Sequence, residues 1–176
     1  MTDPGITVIT ATIPGREDML AEAVASVKAQ TLQPVKHLIY KDLSRRGIQW
    51  SMNVLWPQVK TPWIQWLADD DLFYPDHLES VAKFTDDADI IHSYCDVVGR
   101  DNFLPNYSAE ESSYWMTATA LMRTSMVKEL GGWSPNDFPE DHHFWVKAAK
   151  AGARFAVNRR PTWLYRFHGN NLSWPV

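Results

Sequence analysis

Two acidic clusters carry most of the chemistry this chain could perform. The first, Asp69-Asp70-Asp71, stands directly behind the apolar run 62–67. Adjacent carboxylates raise one another's pKa and burden their loop unless a cation stands among them. Hard divalent ions such as Mg2+ and Mn2+ relieve that repulsion: they take oxygen ligands and keep several waters. One or two carboxylates commonly hold them while a substrate's phosphates complete the shell. A solvated acidic turn ahead of a helix beginning near Pro75 explains an isolated triplet equally well. The second cluster is Glu140-Asp141-His142-His143. A carboxylate beside a hydroxyl can take its proton as the oxygen attacks, whereas acids in a first helical turn also simply offset the dipole. Neighbouring histidines point about 100° apart on a helix, so these two cannot both face one ion.

The surrounding pattern places both clusters. Residues 6–13 (ITVITATI) are β-branched and end at Pro14-Gly15, which predicts a buried first strand. Leu20, Ala23, Val24 and Val27 follow at helical spacing to about Gln30, with Glu17 and Asp18 in the first turn. Residues 35–41 are strand-like again, so the opening reads as a right-handed βαβ unit with a parallel sheet. Asp42 then falls at the carboxyl end of the second strand. The pattern continues with a helix over 49–59 as far as Pro57, a third strand over 62–67, a helix over 75–84 with Pro75 in its first turn, and a fourth strand over 88–93. Beyond Gly99 it predicts a polar loop to Ser113, a strand over 114–122, a short helix to Leu130, a turn at Gly131-Gly132, a helix over 140–151 and strands near Phe155 and Leu164. In open α/β sheets ligands bind beyond the carboxyl ends of the strands, where Asp42 and the aspartate triplet both fall.

Composition bounds the alternatives. The chain has 176 residues, 17 basic against 21 acidic side chains and a net charge of −4, which argues against a surface that neutralises many phosphates and hence against non-specific nucleic-acid binding. No apolar run approaches a membrane span and the first residues lack a signal-peptide pattern, so a cytoplasmic protein is expected. The expected organisation is a single domain over 1–176. Cys95, the one cysteine, reads as a buried thiol on a strand. Nine tryptophans exceed what packing needs and suggest stacking on bases or sugars. No GxGxxG or P-loop is present.

Several segments in order resemble the family 2 glycosyltransferases of GT-A fold. They are Thr10-Ala11-Thr12, Ala25-Ser26-Val27 with Gln30-Thr31, Asp42, the stretch WIQWLADDDLFYPDHL over 63–78, Leu130-Gly131-Gly132-Trp133 with Glu140-Asp141, and Tyr165-Arg166-Phe167-His168 with Asn170, Asn171 and Ser173. The resemblance implies an α/β fold with a Rossmann-like, mostly parallel central sheet flanked by helices. Residues 1–99 would form the nucleotide-sugar half and 100–176 an abbreviated acceptor half carrying the base. By the same resemblance, Thr10, Ala11 and Thr12 border the nucleobase and Asp42 accepts from its N–H. Arg46 or Arg45 reaches the base or diphosphate, and Asn53 fills a recurrent polar position. Ala68 departs from the pattern, which often has an acid there. Asp69 and Asp70 are left to the ribose and metal shell, and Asp71, with Asp70 and His168, to Mn2+ or Mg2+. Asp141 matches the catalytic base, with Glu140 orienting the acceptor. Trp115, Trp133, Trp145 and Trp163 are sugar-stacking candidates, of which Trp133, following two glycines in a loop, is preferred for the acceptor.

The implied reaction is metal-dependent sugar transfer from a nucleoside diphosphate sugar, a UDP-sugar foremost, to a hydroxyl. One base without a second nucleophile implies single displacement with inversion. The shortened acceptor half suggests an acceptor glycan, protein or other polymer, or completion by a second subunit in a homo-oligomer. Two other classes remain: a metal-dependent phosphatase or nuclease, and a non-catalytic nucleotide or carbohydrate-binding module.

Overall fold

The computed structural model describes residues 3–99, 118–135, 139–169 and 171. Seven strands form one sheet: β1 (Ile6–Thr12), β2 (Lys36–Lys41), β3 (Trp63–Trp66), β4 (Leu72–Phe73), β5 (Ile90–Val98), β6 (Ala120–Arg123) and β7 (Phe155–Arg166). The helices are α1 (Glu17–Lys28), α2 (Ile48–Leu55), α3 (His77–Ala82), α4 (Thr124–Glu129) and α5 (Glu140–Lys150), and a 3-10 turn at Trp56–Gln58 follows α2. The strand order is β2-β1-β3-β6-β5-β7-β4.

β1 pairs in parallel with β2 and β3, and β5 with β7, while β6 and β4 run against their neighbours. Five of the seven strands therefore point one way, and the sheet is mixed but mostly parallel. Alternation along β1 divides the core. Ile6 and Val8 pack with Ala23 and Val27 of α1, Leu78 and Trp163 on one face. Ile9 packs with Met52, Trp66, Trp133, Phe144 and Trp145 on the other. The apolar stripes of α1 and α5 supply the covers, as their spacing predicts.

Four local differences from the sequence reading stand out, two of them decided by distant strand partners. β4, two residues after Asp71, pairs Leu72 with Leu164 and Phe73 with Trp163, a partnership with no local signature. The two strands expected near Phe155 and Leu164 are one. The β5–β7 register shifts around Tyr94, where Ser93 faces Asn158 but Tyr94 faces Pro161, so a bulge absorbs the proline without ending the strand. The third helix starts at His77, with Pro75 ahead of it instead of inside its first turn. Cys95 is half-buried on β5, not enclosed. The strand expected over 114–122 is described only from Ala120, and the polar loop over 100–113 lies outside the described residues.

Candidate functional site

β1, β2, β3 and β7 share a direction, so Thr12, Asp42, the aspartate triplet and the 166–168 segment all lie at one edge, beyond the strands' carboxyl ends. α5 joins them by topology. Its C-terminus turns through Gly152 into the start of β7, which pairs beside the start of β5, so α5 runs back across the sheet and its first residues, Glu140 and Asp141, reach that same edge. Ring contacts tie the two places together: Trp66 of β3 meets Trp133 edge-on at 6.0 Å, and Trp133 stacks on Phe144 at 4.5 Å, one turn into α5.

At the end of β2, the Asp42 amide donates to Thr12 O at 2.8 Å. Its Oδ2 accepts from Gly47 N–H at 3.0 Å, which sets the loop that starts α2. Its Oδ1 is buried and has no partner among the described residues. A buried lone acceptor costs free energy unless a donor arrives. Thr10 is fully buried, and its hydroxyl meets His37 Nε2 at 2.9 Å. Thr12 is also buried, so Ala11 alone of the three retains exposed surface. The loop arginines are engaged within the protein: the Arg46 guanidinium lies 3.9 Å from the centre of the Trp50 ring, and Arg45 donates to Pro14 O at 3.2 Å.

All three triplet aspartates are buried, and protein cations surround them. Arg16 Nη1 donates to Asp69 Oδ1 at 2.8 Å and Asp70 Oδ2 at 3.0 Å. His168 Nε2 stands 3.1 Å from that same Asp70 oxygen. Arg166 Nε donates to Asp70 O and its Nη1 to Glu22. Asp71 turns inward, where Oδ1 accepts the Arg166 amide at 3.0 Å; burial, then the charge of Asp70, push its carboxyl well above the usual range. This is a fastening between the acidic loop and the end of β7, and it engages Asp71, one of the expected metal residues, with the protein's own backbone. Asp69 Oδ2 is buried without a partner among the described residues.

The fit to a divalent ion rests on Asp70 and His168, an oxygen and an imidazole meeting at one point, with the orphaned Asp69 oxygen beside them. No group of three His, Cys, Asp or Glu side chains converges as a metal cage among the described residues. His168 owes its place to Asn171, which accepts the His168 amide at 2.8 Å and donates to Arg166 O at 2.8 Å. Gly99 adds to this: a Cβ there would lie 1.9 Å from Phe167 O, so only glycine lets β5 approach the segment this closely.

In α5, burial and then the neighbouring charge of Asp141 push Glu140 up to about 7. Burial raises Asp141 too, although its Oδ1 accepts the His142 amide at 2.7 Å. The pair is held half-covered, with protons bound tighter than in water. His142 and His143 rings sit edge to face at 5.6 Å.

The stacking expectations are corrected. Trp133 is 3% exposed, clasped by Asn53, whose Nδ2 donates to Trp133 O at 2.7 Å and whose Oδ1 accepts its amide at 3.0 Å. A buried ring sandwiched on Phe144 has no face for a sugar. Trp145 and Trp163 are fully buried, and Trp115, Asn170 and Ser173 lie outside the described residues. Asn53 is the clamp that holds the glycine turn. Sequence reasoning missed Arg16, for which α1's first turn offered no local signal, and quoted Arg166 without giving it a role.

No family model matches the chain, and no curated protein matches it. Solved structures do. TarS of S. aureus, residues 1–349 with UDP-GlcNAc, superposes with a TM-score of 0.80 over 98% of this chain and 62% of its own, at 16% identity. The same fragment with UDP gives 0.77 over 93% of this chain and 60% of that one, at 16% identity. The mannosyltransferase PcManGT of Pyrobaculum calidifontis, with GDP-Man and Mn2+, gives 0.76 over 97% and 59%, at 15% identity. The chain thus spans about three fifths of these solved chains, and 37% of a longer TarS chain, and its fold is the GT-A fold they share.

Proposed function

We propose that this domain transfers a sugar from a nucleoside diphosphate sugar to a hydroxyl acceptor, with a divalent ion bound, and inverts the anomeric centre. The observation that carries the reading is the meeting of Asp70 with His168 at the strand edge where Asp42 and the start of α5 also lie. Neighbours of the same fold bound to UDP-GlcNAc and to GDP-Man with Mn2+ support it.

Within this reading, Asp42 Oδ1 takes a base N–H, for which a UDP-sugar is the favoured donor, with Ala11 at the rim of the base site. Asp70 and His168 hold Mn2+ or Mg2+, which when bound offsets the charge that builds on the departing diphosphate. Asp69 orients the ribose side of the same shell. Arg166 anchors the loop through Asp70 O and Asp71, and its Nη2, buried without a partner among the described residues, adds positive charge there. Asp141 takes the proton of the acceptor hydroxyl as the oxygen attacks, and Glu140 positions that hydroxyl. One carboxylate base on the face opposite the diphosphate leaves no covalent intermediate, hence inversion. Family 2 membership, a hydroxyl on a glycan, protein or other polymer as acceptor, a homo-oligomer that completes the acceptor side, and a cytoplasmic site of action belong to the same proposal. No helix among the described residues is long and apolar enough to cross a membrane.

The test is calorimetry of UDP binding with Mn2+, with Mg2+ and with a chelator. The reading expects binding only with metal, and Asp70→Ala should abolish it. Equal UDP affinity in the chelator would refute the metal-dependent site and favour a binding module.

A further inference from the structure

The oxygen that meets His168 is already paired. Arg16, the residue before α1, bridges Asp69 and Asp70 through a single Nη1, and its side chain is 19% exposed while theirs are 5% and 10%. Desolvated charge-assisted bonds of this kind are among the stronger ones in a protein. A divalent ion held by Asp70 and His168 would stand at the oxygen that Arg16 already engages, and two cations within a few Å repel. Metal and guanidinium would therefore compete for this carboxylate. The displaced fork is planar and rich in donors, a geometry that suits phosphate oxygens.

We propose that Arg16 is a resident counter-ion that competes with the metal for Asp69 and Asp70, and that the donor diphosphate ends the competition by taking the displaced guanidinium. Metal and diphosphate then bind as a pair, each raising the other's affinity by the same factor. The inference rests on the donor-site reading above and names how that site is regulated. It also gives Ala68 a meaning: with no acid at this position, the single guanidinium faces two carboxylates, and less negative charge stays uncompensated before loading.

The experiment is Mn2+ titration followed by electron paramagnetic resonance, with and without UDP, on wild type, Arg16→Gln and Arg16→Lys. In wild type UDP should tighten Mn2+ on the order of tenfold or more. In Arg16→Gln, Mn2+ alone should bind about tenfold tighter, the scale of a lost charge-assisted pair, and the tightening by UDP should shrink correspondingly. Arg16→Lys keeps the charge and should leave the affinity for Mn2+ alone near wild type, while the tightening by UDP shrinks because an ammonium lacks the planar fork. A Gln variant that binds Mn2+ no tighter, with the UDP effect intact, overturns the role of Arg16 and leaves the donor site standing. No UDP effect in wild type overturns the donor reading and this inference together. A second measurement needs no variant. Phenylglyoxal labelling of Arg16 in the wild-type protein should be slow alone, faster with saturating Mn2+ and slow again with Mn2+ and UDP. Labelling indifferent to Mn2+ overturns the competition.

Discussion

His92 should make the stability of this domain depend on pH in a way one substitution removes. Its side chain is fully buried in β5, edge-on to Trp145 at 4.9 Å, and neither ring nitrogen has a partner among the described residues. Burial holds its pKa down to about 3, against about 6.5 in an unfolded chain. The folded pKa is lowered, so below 6.5 the unfolded state binds the proton and the folded state does not. Stability is full above that pH and is lost as pH falls toward 3. At pH 5 the difference is about one and a half pH units of binding, or about 2 kcal/mol, with a slope of about 1.0–1.3 kcal/mol per unit between pH 6 and 4. Burial also lowers His37 to about 4 and His77 to about 3, and each adds a similar loss. Together they approach the whole stability of a typical domain. Glu140 and Asp71, whose pKa values are raised, bind protons in the folded state and oppose part of that loss.

The single substitution isolates the term. Urea unfolding of wild type and His92→Phe, followed by tryptophan fluorescence at pH 8, 7, 6 and 5, should show curves that diverge below pH 7. The variant should gain about 2 kcal/mol on wild type between pH 8 and pH 5. At pH 8 it should be no less stable, because two buried polar atoms without partners are removed. Parallel curves would refute the buried neutral histidine.

Gly132→Ala should destabilise by about 2–4 kcal/mol in urea at pH 8, since its φ is 74° and a Cβ would come within 2.4 Å of Asn53 Oδ1. A change below about 0.5 kcal/mol would contradict the clamp on the turn. A chelator should abolish UDP binding yet leave the melting temperature within about 1 °C, because Arg16 and Arg166, not metal, hold the aspartates in the free protein. Asp141→Asn should cut sugar transfer at least about 100-fold with donor affinity retained. The wild-type rate should fall as pH drops below about 7, where Glu140 takes up a proton, with Asp141, also raised by burial, adding to the loss; in Glu140→Gln that acid limb should move to lower pH. A pH–rate profile unchanged in the Gln variant would separate the two carboxylates.

Local pattern made the first half of the fold legible. The β-branched run of β1, the 3.6-residue stripe of α1 and the apolar β3 each announce themselves within a dozen residues, and the edge that holds Asp42 and the aspartates follows from their alternation. β4 and the continuity of β7 were not legible, because each is decided by a partner far away in sequence. Leu72 and Phe73 become a strand only when Leu164 and Trp163 lie beside them, and Pro161 ends β7 unless Tyr94 yields a shift in register.

The site divides along the same line. Residue type and position point to Asp42, Asp70 and His168, but not to which oxygens are already engaged. Three adjacent aspartates look alike in sequence; in the fold Asp71 faces a backbone amide of β7, while Asp69 and Asp70 face a guanidinium supplied from ahead of α1. Trp133 was misread for a related reason. A tryptophan after two glycines looks like a loop residue with a free face, yet the positive φ at both glycines folds the turn back on Asn53 and delivers the ring to Phe144. Glycines that allow a tight turn also allow close packing behind it, so in this chain the loop position argues for burial. Among the described residues, and on the reading proposed above, the half-covered acids at the start of α5 would then meet an acceptor, not the aromatic ring one turn away. Acceptor recognition on this face is accordingly expected to be polar: Glu140→Gln should weaken acceptor binding more than it weakens UDP binding, and equal losses of both would place Glu140 with the donor.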